Sequence, residues 1–445
     1  MSKTFSDALS ASPLKAFSIA TFVVCVLVLV ADGMDAQLLG IVAPLVTEEF
    51  GVGSDTFGIA MSAALVGFGI GSWGGGWLGD RIGRRWSLAI ATVVFSLATI
   101  GASYAADVWQ MAAWRVVGGL GFGSAYSNAI ALASEWLPAR WRPVGVTTLS
   151  VGTPAGGLLV AALVPTLVED YGWRGSFVVI GVATLLVVVL ILGVLRDSPS
   201  FLFARGKTQQ ARATARKIFT GDVEFAPEQH HTDRDGGSIG VFHPSNFRLN
   251  LGVGIAFAAA ALVAYGILNW ATTFLTGKGF AFDEASYAVS VAGLTSIAAS
   301  IAAGLLVQRF GSKAVFATLS ASLFVTLLFL AFQLETLNGT PSEGARLLIV
   351  TLVGVAAAFF SGSIASMYAL MTHAYPPSCR SAGVGFGIFV ARAGAIAASG
   401  LGGWLLELGQ GSVIPFFAVL CISAVLVSAA ALIVDRHVPP AGASD

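Results

Sequence analysis

Asp32 and Asp35 stand three residues apart in an otherwise apolar run that begins near Phe17 and continues through Leu38 and Leu39 to Val46. Residues at i and i+3 share nearly one helix face. An ionised carboxylate at the centre of a bilayer costs about 2.5–3.5 kcal/mol on insertion scales, so such residues face a cavity and do work there. Two acids that close do not both ionise comfortably, and the pair reads as a proton-binding site. Two basic residues also interrupt apolar runs. Arg115 is placed to pair with Asp32, holding it when close and releasing it when apart. Arg392 has no acid in its own run, and its planar fork suits a carboxylate bidentately. The competing reading is structural: acids satisfied by neighbouring polar groups, and an arginine capping backbone carbonyls. Glu135, near Arg140 and Arg142, is either a gate carboxylate or a helix-end charge.

The runs that carry these residues are membrane spans. The 445 residues are 56% hydrophobic and 11% charged, with a mean hydropathy of +0.82. Soluble domains carry about 25% charged residues, so a soluble protein is excluded. The 53 glycines suit helices that pack closely in lipid. A net charge of zero gives no argument for nucleic acid. Cys25, Cys379 and Cys421 are too dispersed for a disulfide framework or metal site, and no metal or cofactor is expected. The polar N-terminus up to Lys15 leads into a run too long for a signal peptide, and is read as preceding a retained span.

Runs long enough to cross about 30 Å of hydrocarbon fall near 16–46, 56–79, 86–105, 108–135, 143–168 and 174–195, then 249–276, 284–307, 314–334, 345–373, 382–406 and 412–434. The expected fold is all-α and integral to the membrane, with twelve transmembrane helices in two six-helix bundles. The bundles occupy 1–195 and 249–445, with a central cytoplasmic loop at 196–248. With both termini cytoplasmic, 19 of the 24 lysines and arginines lie inside, Arg174, Lys278 and Arg346 lie outside, and Arg115 and Arg392 lie within spans. That asymmetry sets the orientation. The central loop is expected to carry a short helix over Gln209–Ile218 and a linker over 232–237, and His230-His231 reads as a solvated pair.

The halves repeat. Gly76 to Arg85 (Gly-Trp-Leu-Gly-Asp-Arg-Ile-Gly-Arg-Arg) has a worn echo in Gly304 to Lys313, and Pro138, Arg142 and Gly145 recur as Pro376, Arg380 and Gly383 at a constant offset of 238. Internal repeats of this kind mark transporters with a midplane site.

The Gly76, Asp80, Arg81, Gly83, Arg84 and Arg85 loop is similar to the signature between spans two and three of the major facilitator superfamily, and the resemblance runs the length of the chain. It implies a cytoplasmic charge latch between bundles, with Asp80 facing the positive N-terminal end of a helix in the other half; Arg309 and Arg380 are the second-half candidates. Within that superfamily, Asp32-Gly33-Met34-Asp35 with Gly40 and Pro44, the stretch from Arg115 to Gly123 with Asn128 and Glu135, and Arg380 to Ile396 resemble the aromatic acid:proton symporters. Two departures stand out: Ala391 replaces the usual glycine before the arginine, and Gln308 replaces an acid in the second loop. The resemblance further implies that spans one, four, seven and ten line the path. That nominates Tyr126, Asn128, Tyr265, Asn269, Trp270, Phe359, Phe360 and Ser363 for an aromatic ring.

The expected protein is a monomeric, multi-pass transporter of a bacterial cytoplasmic (inner) membrane, importing small aromatic carboxylates with protons and using no cofactor. Asp32, Asp35, Arg115 and Glu135 would couple the proton, and Arg392 would receive the carboxylate. Alternatives are a sugar or polyol porter, since Asp197 to Leu202 is similar to the sugar porters' stretch after span six, and a proton-driven exporter, for which Gly152 to Gly157 is a partial match. An enzyme is not expected: no His-Glu-x-x-His occurs.

Overall fold

Large apolar side chains cover much of the molecule's exterior: Ile70, Leu186, Val189, Leu305 and Phe332 are 58–66% exposed. Such a surface suits hydrocarbon, where backbone polar groups must be satisfied within the chain. The computed structural model describes residues 5–10, 12–138, 141–219, 240–337, 339–376 and 379–440. His230-His231 and the linker at 232–237 lie outside them, as do Arg140 and the side chains of Arg142 and Arg380.

The α-helices are α1 (Phe5–Ser10), α2 (Ala16–Ile41), α3 (Ala43–Phe50), α4 (Ser54–Ile82), α5 (Arg84–Ala102), α6 (Val108–Trp136) and α7 (Arg142–Val194). Then come α8 (Pro199–Ala204), α9 (Thr208–Ala215), α10 (Phe247–Gly277), α11 (Phe282–Phe310), α12 (Ser312–Glu335), α13 (Glu343–Ala374), α14 (Arg380–Leu408) and α15 (Ile414–Ile433). Among the described residues, eleven helices are long and apolar enough to cross a membrane. One of them does so twice. The 53 residues of α7 would extend about 80 Å at 1.5 Å per residue, and Gly172 breaks them with φ 68° and ψ 176°. The first arm rises along α2, with Gly145 near Phe22 and Gly157 against Gln37. Beside the break, Trp173 Nε1 donates to Glu49 Oε2 at 2.5 Å. The second arm descends past Ile100 and ends where the Arg85 backbone N–H donates to Asp197 Oδ1 at 3.0 Å. Twelve crossings result.

The first span is shorter than its apolar run. Pro44 cannot continue the α2 ladder, so α2 stops at Ile41 and α3 starts afresh after Val42. In the central stretch the helix expected over 209–218 is α9, shifted slightly upstream.

The repeat is visible in three dimensions. Gly83 (φ 105°, ψ 148°) and Gly311 (φ 78°, ψ 155°) end α4 and α11 in the same left-handed conformation, which favours glycine. Gly145 packs on Leu137 as Gly383 packs on Tyr375, again 238 residues apart. After the sixth crossing the chain returns to Gly83: the Asp197 carboxylate, whose pKa burial pushes above the usual carboxylate range, fills the space a Cβ there would need. After the twelfth, the tail returns to Gly311. Ser312 N–H donates to Val438 O (3.0 Å), Val438 N–H donates to Ser312 Oγ (2.9 Å), and Arg436 donates to Asn246 Oδ1 (3.0 Å) and Ser245 O (2.9 Å).

The two halves meet at the end remote from these loops. Gly40 lies against Asn269, Gly58 against Ser399 and Gly400, Gly293 against Leu158, and Thr272 Oγ1 donates to Gly40 O at 2.6 Å. At the other, arginine-rich end, Gly69 and Gly76 lie on the same face of α4 as Gly58, yet neither has a neighbour within 4 Å at its Cβ position. Gly385 of α14 is equally open, and Phe389 is 76% exposed. The molecule is closed at the far end and splayed at the basic end.

A Cβ at Gly400 would lie 3.8 Å from that of Ser62, the mean separation in disulfides of about 3.8 Å. The double substitution Ser62→Cys/Gly400→Cys should therefore cross-link on oxidation and arrest transport until a reductant is added. Gly76→Cys/Gly385→Cys should cross-link only in the opposite conformation. Efficient cross-linking of the second pair with none of the first, read on gels, would contradict this packing.

Candidate functional site

Midway along the helices, a cavity with about 530 Å³ of space free of protein atoms lies between the halves. Its wall takes Asp32 and Ala36 from α2, Met61, Leu65 and Phe68 from α4, Arg115, Phe122 and Tyr126 from α6, and Thr153 from α7. The second half adds Tyr265 and Asn269 from α10 and Arg392 from α14.

Close backbone approach brings Asp32 its neighbour. A Cβ on Gly33 would sit 2.1 Å from Thr153 O, and one on Gly156 would sit 2.0 Å from Val30 O. Only glycine allows α2 and α7 to touch so tightly, and the contact aims Thr153 Oγ1 at Asp32, to which it donates at 3.3 Å. Asp32 is otherwise open to the cavity and within electrostatic reach of Arg392.

Asp35 is different. Arg115 donates to its Oδ2 at 2.5 Å and to its main-chain carbonyl at 3.4–3.5 Å, while Thr99 Oγ1 donates to its Oδ1 at 2.5 Å. Acid and base are 1% and 4% exposed. The expected pairing of Arg115 with Asp32 is thus corrected to Asp35. At 1.5 Å per residue, Arg115 lies about 10 Å below the start of α6, and Asp35 about 9 Å below the end of α2 at Ile41. Asp32 is a turn too deep.

Arg392 faces the cavity. Its Nη1 donates to Tyr265 Oη at 3.0 Å, and the guanidinium lies 3.8 Å from the Phe68 ring centroid across the halves. A cation over an aromatic face is stabilised by the ring quadrupole, and the stack orients the fork while leaving donors for a ligand. Tyr126 lies beside Phe68, ring centroids 5.7 Å apart.

Of the other nominees, Tyr126, Tyr265 and Asn269 line the cavity, with Asn269 donating to Ser399 Oγ at 2.8 Å. Asn128 does not: wholly buried, its Nδ2 donates to Gly75 O, Ser87 Oγ and Ser124 O, and it ties α4, α5 and α6 together. Trp270 is buried against Gly402 and Gly403 and donates to Ala398 O. Phe360 and Ser363 are buried within the second half, Ser363 donating to Phe359 O of its own helix, and Phe359 packs on the core. Helical periodicity turned these side chains away from the path. Phe68 and Thr153 were not foreseen. The signals were there: Phe68 is the one bulky ring between Gly67 and Gly69, and Thr153 precedes Pro154, a proline inside an apolar span.

The basic-end residues form a separate cluster. Asp80, largely exposed, pairs with Arg84 of its own half, and its carbonyl accepts from Arg205. Arg84 also reaches Glu135 at 3.5 Å, Arg85 donates to Leu192 O, and Arg81 and Arg309 lie over Trp77 and Phe310. Glu135 belongs here and not in the cavity. The expected latch from Asp80 to a helix of the other half is not formed in this conformation, because the halves are apart at that end; Gly76, on the α4 face that would meet the other half, has open space beside it.

The chain is 27% identical over 411 residues to the "4-hydroxybenzoate transporter PcaK" of Pseudomonas aeruginosa, covering 90% of this chain and 89% of the relative. It is 28% identical to the "Gallate transporter" of Pseudomonas putida, covering 96% and 93%. Among solved structures, the inward-open conformation of the xylose transporter XylE from E. coli superposes with a TM-score of 0.74 at 19% identity, covering 96% of this chain and 98% of that one. These are transporters and not enzymes, and the crossing helices make this chain, like them, a multi-pass protein of the bacterial inner membrane. The profile of the Major Facilitator Superfamily matches residues 25–334, and the chain belongs to that superfamily.

Proposed function

We propose that the protein imports aromatic carboxylates together with protons, by alternating access. The observation that carries this reading is the division of charge at the site: at the cavity wall Arg115 is neutralised by its ion pair with Asp35, while Arg392 and Asp32 share the cavity. The aromatic acid relatives support the substrate class. A substrate carboxylate docks on the Arg392 fork, and its ring lies among Phe68, Phe122 and Tyr126.

Coupling follows from charge balance. One guanidinium in a low-dielectric cavity compensates one carboxylate. When the substrate occupies Arg392, Asp32 must take up a proton; when the proton leaves, Asp32 competes for Arg392 and drives the substrate off. The linkage is reciprocal. Asp35 is a positioning residue that holds Arg115, so one proton moves per monocarboxylate and no net charge crosses. Residues 1–195 and 249–445 would move as two bodies about this site, linked by 196–248. By the distribution of lysine and arginine the splayed end is cytoplasmic, which makes the present conformation inward-open.

Substitutions at three positions separate the roles. Asp32→Asn should lose accumulation against a gradient yet keep substrate exchange across proteoliposomes; accumulation at the wild-type level would remove Asp32 from coupling. Asp35→Asn leaves a buried guanidinium without its partner, a defect worth about 3–5 kcal/mol, and should reduce the yield of folded protein while Asp32→Asn does not.

Arg392→Ala should weaken binding of 4-hydroxybenzoate by about 10- to 100-fold, as expected for lost charged hydrogen bonds, with its neutral amide little affected. Arg392→Lys should fall between. Equal binding of the acid by wild type and Arg392→Ala, measured by calorimetry, would place the carboxylate elsewhere.

A further inference from the structure

Glu407 sits in the last turn of α14, which holds no basic residue. An acid there opposes the negative end of its own helix dipole. Its carboxylate instead crosses to the other half and meets the start of α4, where Oε2 accepts the Asp55 backbone N–H at 3.1 Å. The first N–H groups of a helix need an acceptor from outside the ladder, and the residue that should supply one, the N-cap Gly53, has no side chain. Gly53 also makes the room: a Cβ there would lie 2.6–2.7 Å from both Glu407 carboxylate oxygens. Around this contact the backbones touch, with a Cβ on Gly403 falling 1.8 Å from Ser54 O.

We propose that Glu407 is the latch of the far end: it caps α4 across the two halves when that end is shut, and lets go when it opens. Capping of this kind can only be made with the far end closed, so it favours the basic-end-open conformation and sets the balance between the two states. Asp55 shares the space: its Oδ1, which accepts from Thr56 N–H at 2.5 Å, lies 2.7 Å from the same Cβ position, and its carboxyl group is hydrogen-bonded to that of Glu407. The chemistry is a carboxylate on a helix N-terminus between halves, at the end opposite to Asp80.

The test uses the full-length protein in lipid nanodiscs without substrate, and so does not depend on what is carried. Spin labels replace Tyr104 and Tyr287, exposed far-end residues, one in each half; Cys25, Cys379 and Cys421 are buried. Pulsed electron resonance then reads the fraction of molecules open at the far end. Glu407→Ala should raise the ratio of open to closed roughly threefold to tenfold. Gly53→Val should do the same, because its side chain takes the place of the carboxylate. The double variant should be no more open than either single, since without Glu407 the new side chain meets only the movable end of Asp55. An unchanged ratio in Glu407→Ala would overturn the latch, and so would a double variant whose effect is the sum of the two.

Discussion

A guanidinium in hydrocarbon must be compensated, and this requirement orders the interior. Two arginines stand within the membrane, and the fold answers them differently. Arg115 is closed off by Asp35 and the Asp35 carbonyl, so its charge is spent on holding α2 to α6. Arg392 is given a ring to lie on and a tyrosine hydroxyl, neither of which is an anion. Asp32 lies within its electrostatic reach at the cavity. The same residue type is thus paired off in one half and left facing the cavity in the other, and the difference lies in whether a carboxylate stands at the same depth on a neighbouring helix.

Glycine sets the distances that make this work. Without lipid-excluding water to drive helices together, close contact comes from small residues. The Gly33–Thr153 and Gly156–Val30 approaches set how far Asp32 is from Thr153. The far-end glycines of α4 and α14 let two backbones meet where side chains would have kept them apart. A contact made of backbone and small atoms separates without leaving large apolar side chains stranded, which suits an interface that must open.

Much of this was legible in the residues. Apolar runs gave the twelve crossings because lipid demands length and leaves little choice of structure. The acids and arginines within the spans marked the cavity by their cost. The partner of Arg115 was not legible, because it depends on where α2 stops, and Pro44 shortened that helix by several residues. The helices that carry Asn128 and Trp270 make them cavity candidates, but which face a residue occupies decides its use. Asn128 turned to α4 and α5, and Trp270 to α14. The part played by Phe68 depends on a residue 324 positions away, and no local pattern carries that.

The twin loops at Gly83 and Gly311 have a practical corollary for anyone attaching a reporter to this protein. Each bundle is finished by chain that follows its last crossing: Asp197 in the first, and the stretch from Arg436 to Val438 in the second, which holds the starts of α10 and α12 at once. Those few residues after α15 are the closing stitch of the second bundle. A fluorescent domain joined directly at Val434 would cut it and loosen the basic-end termini of three helices, α10, α12 and α13, the last held through Ala374 O, which accepts from Arg436 at 3.3 Å, whereas one joined beyond Pro440 would leave it tied.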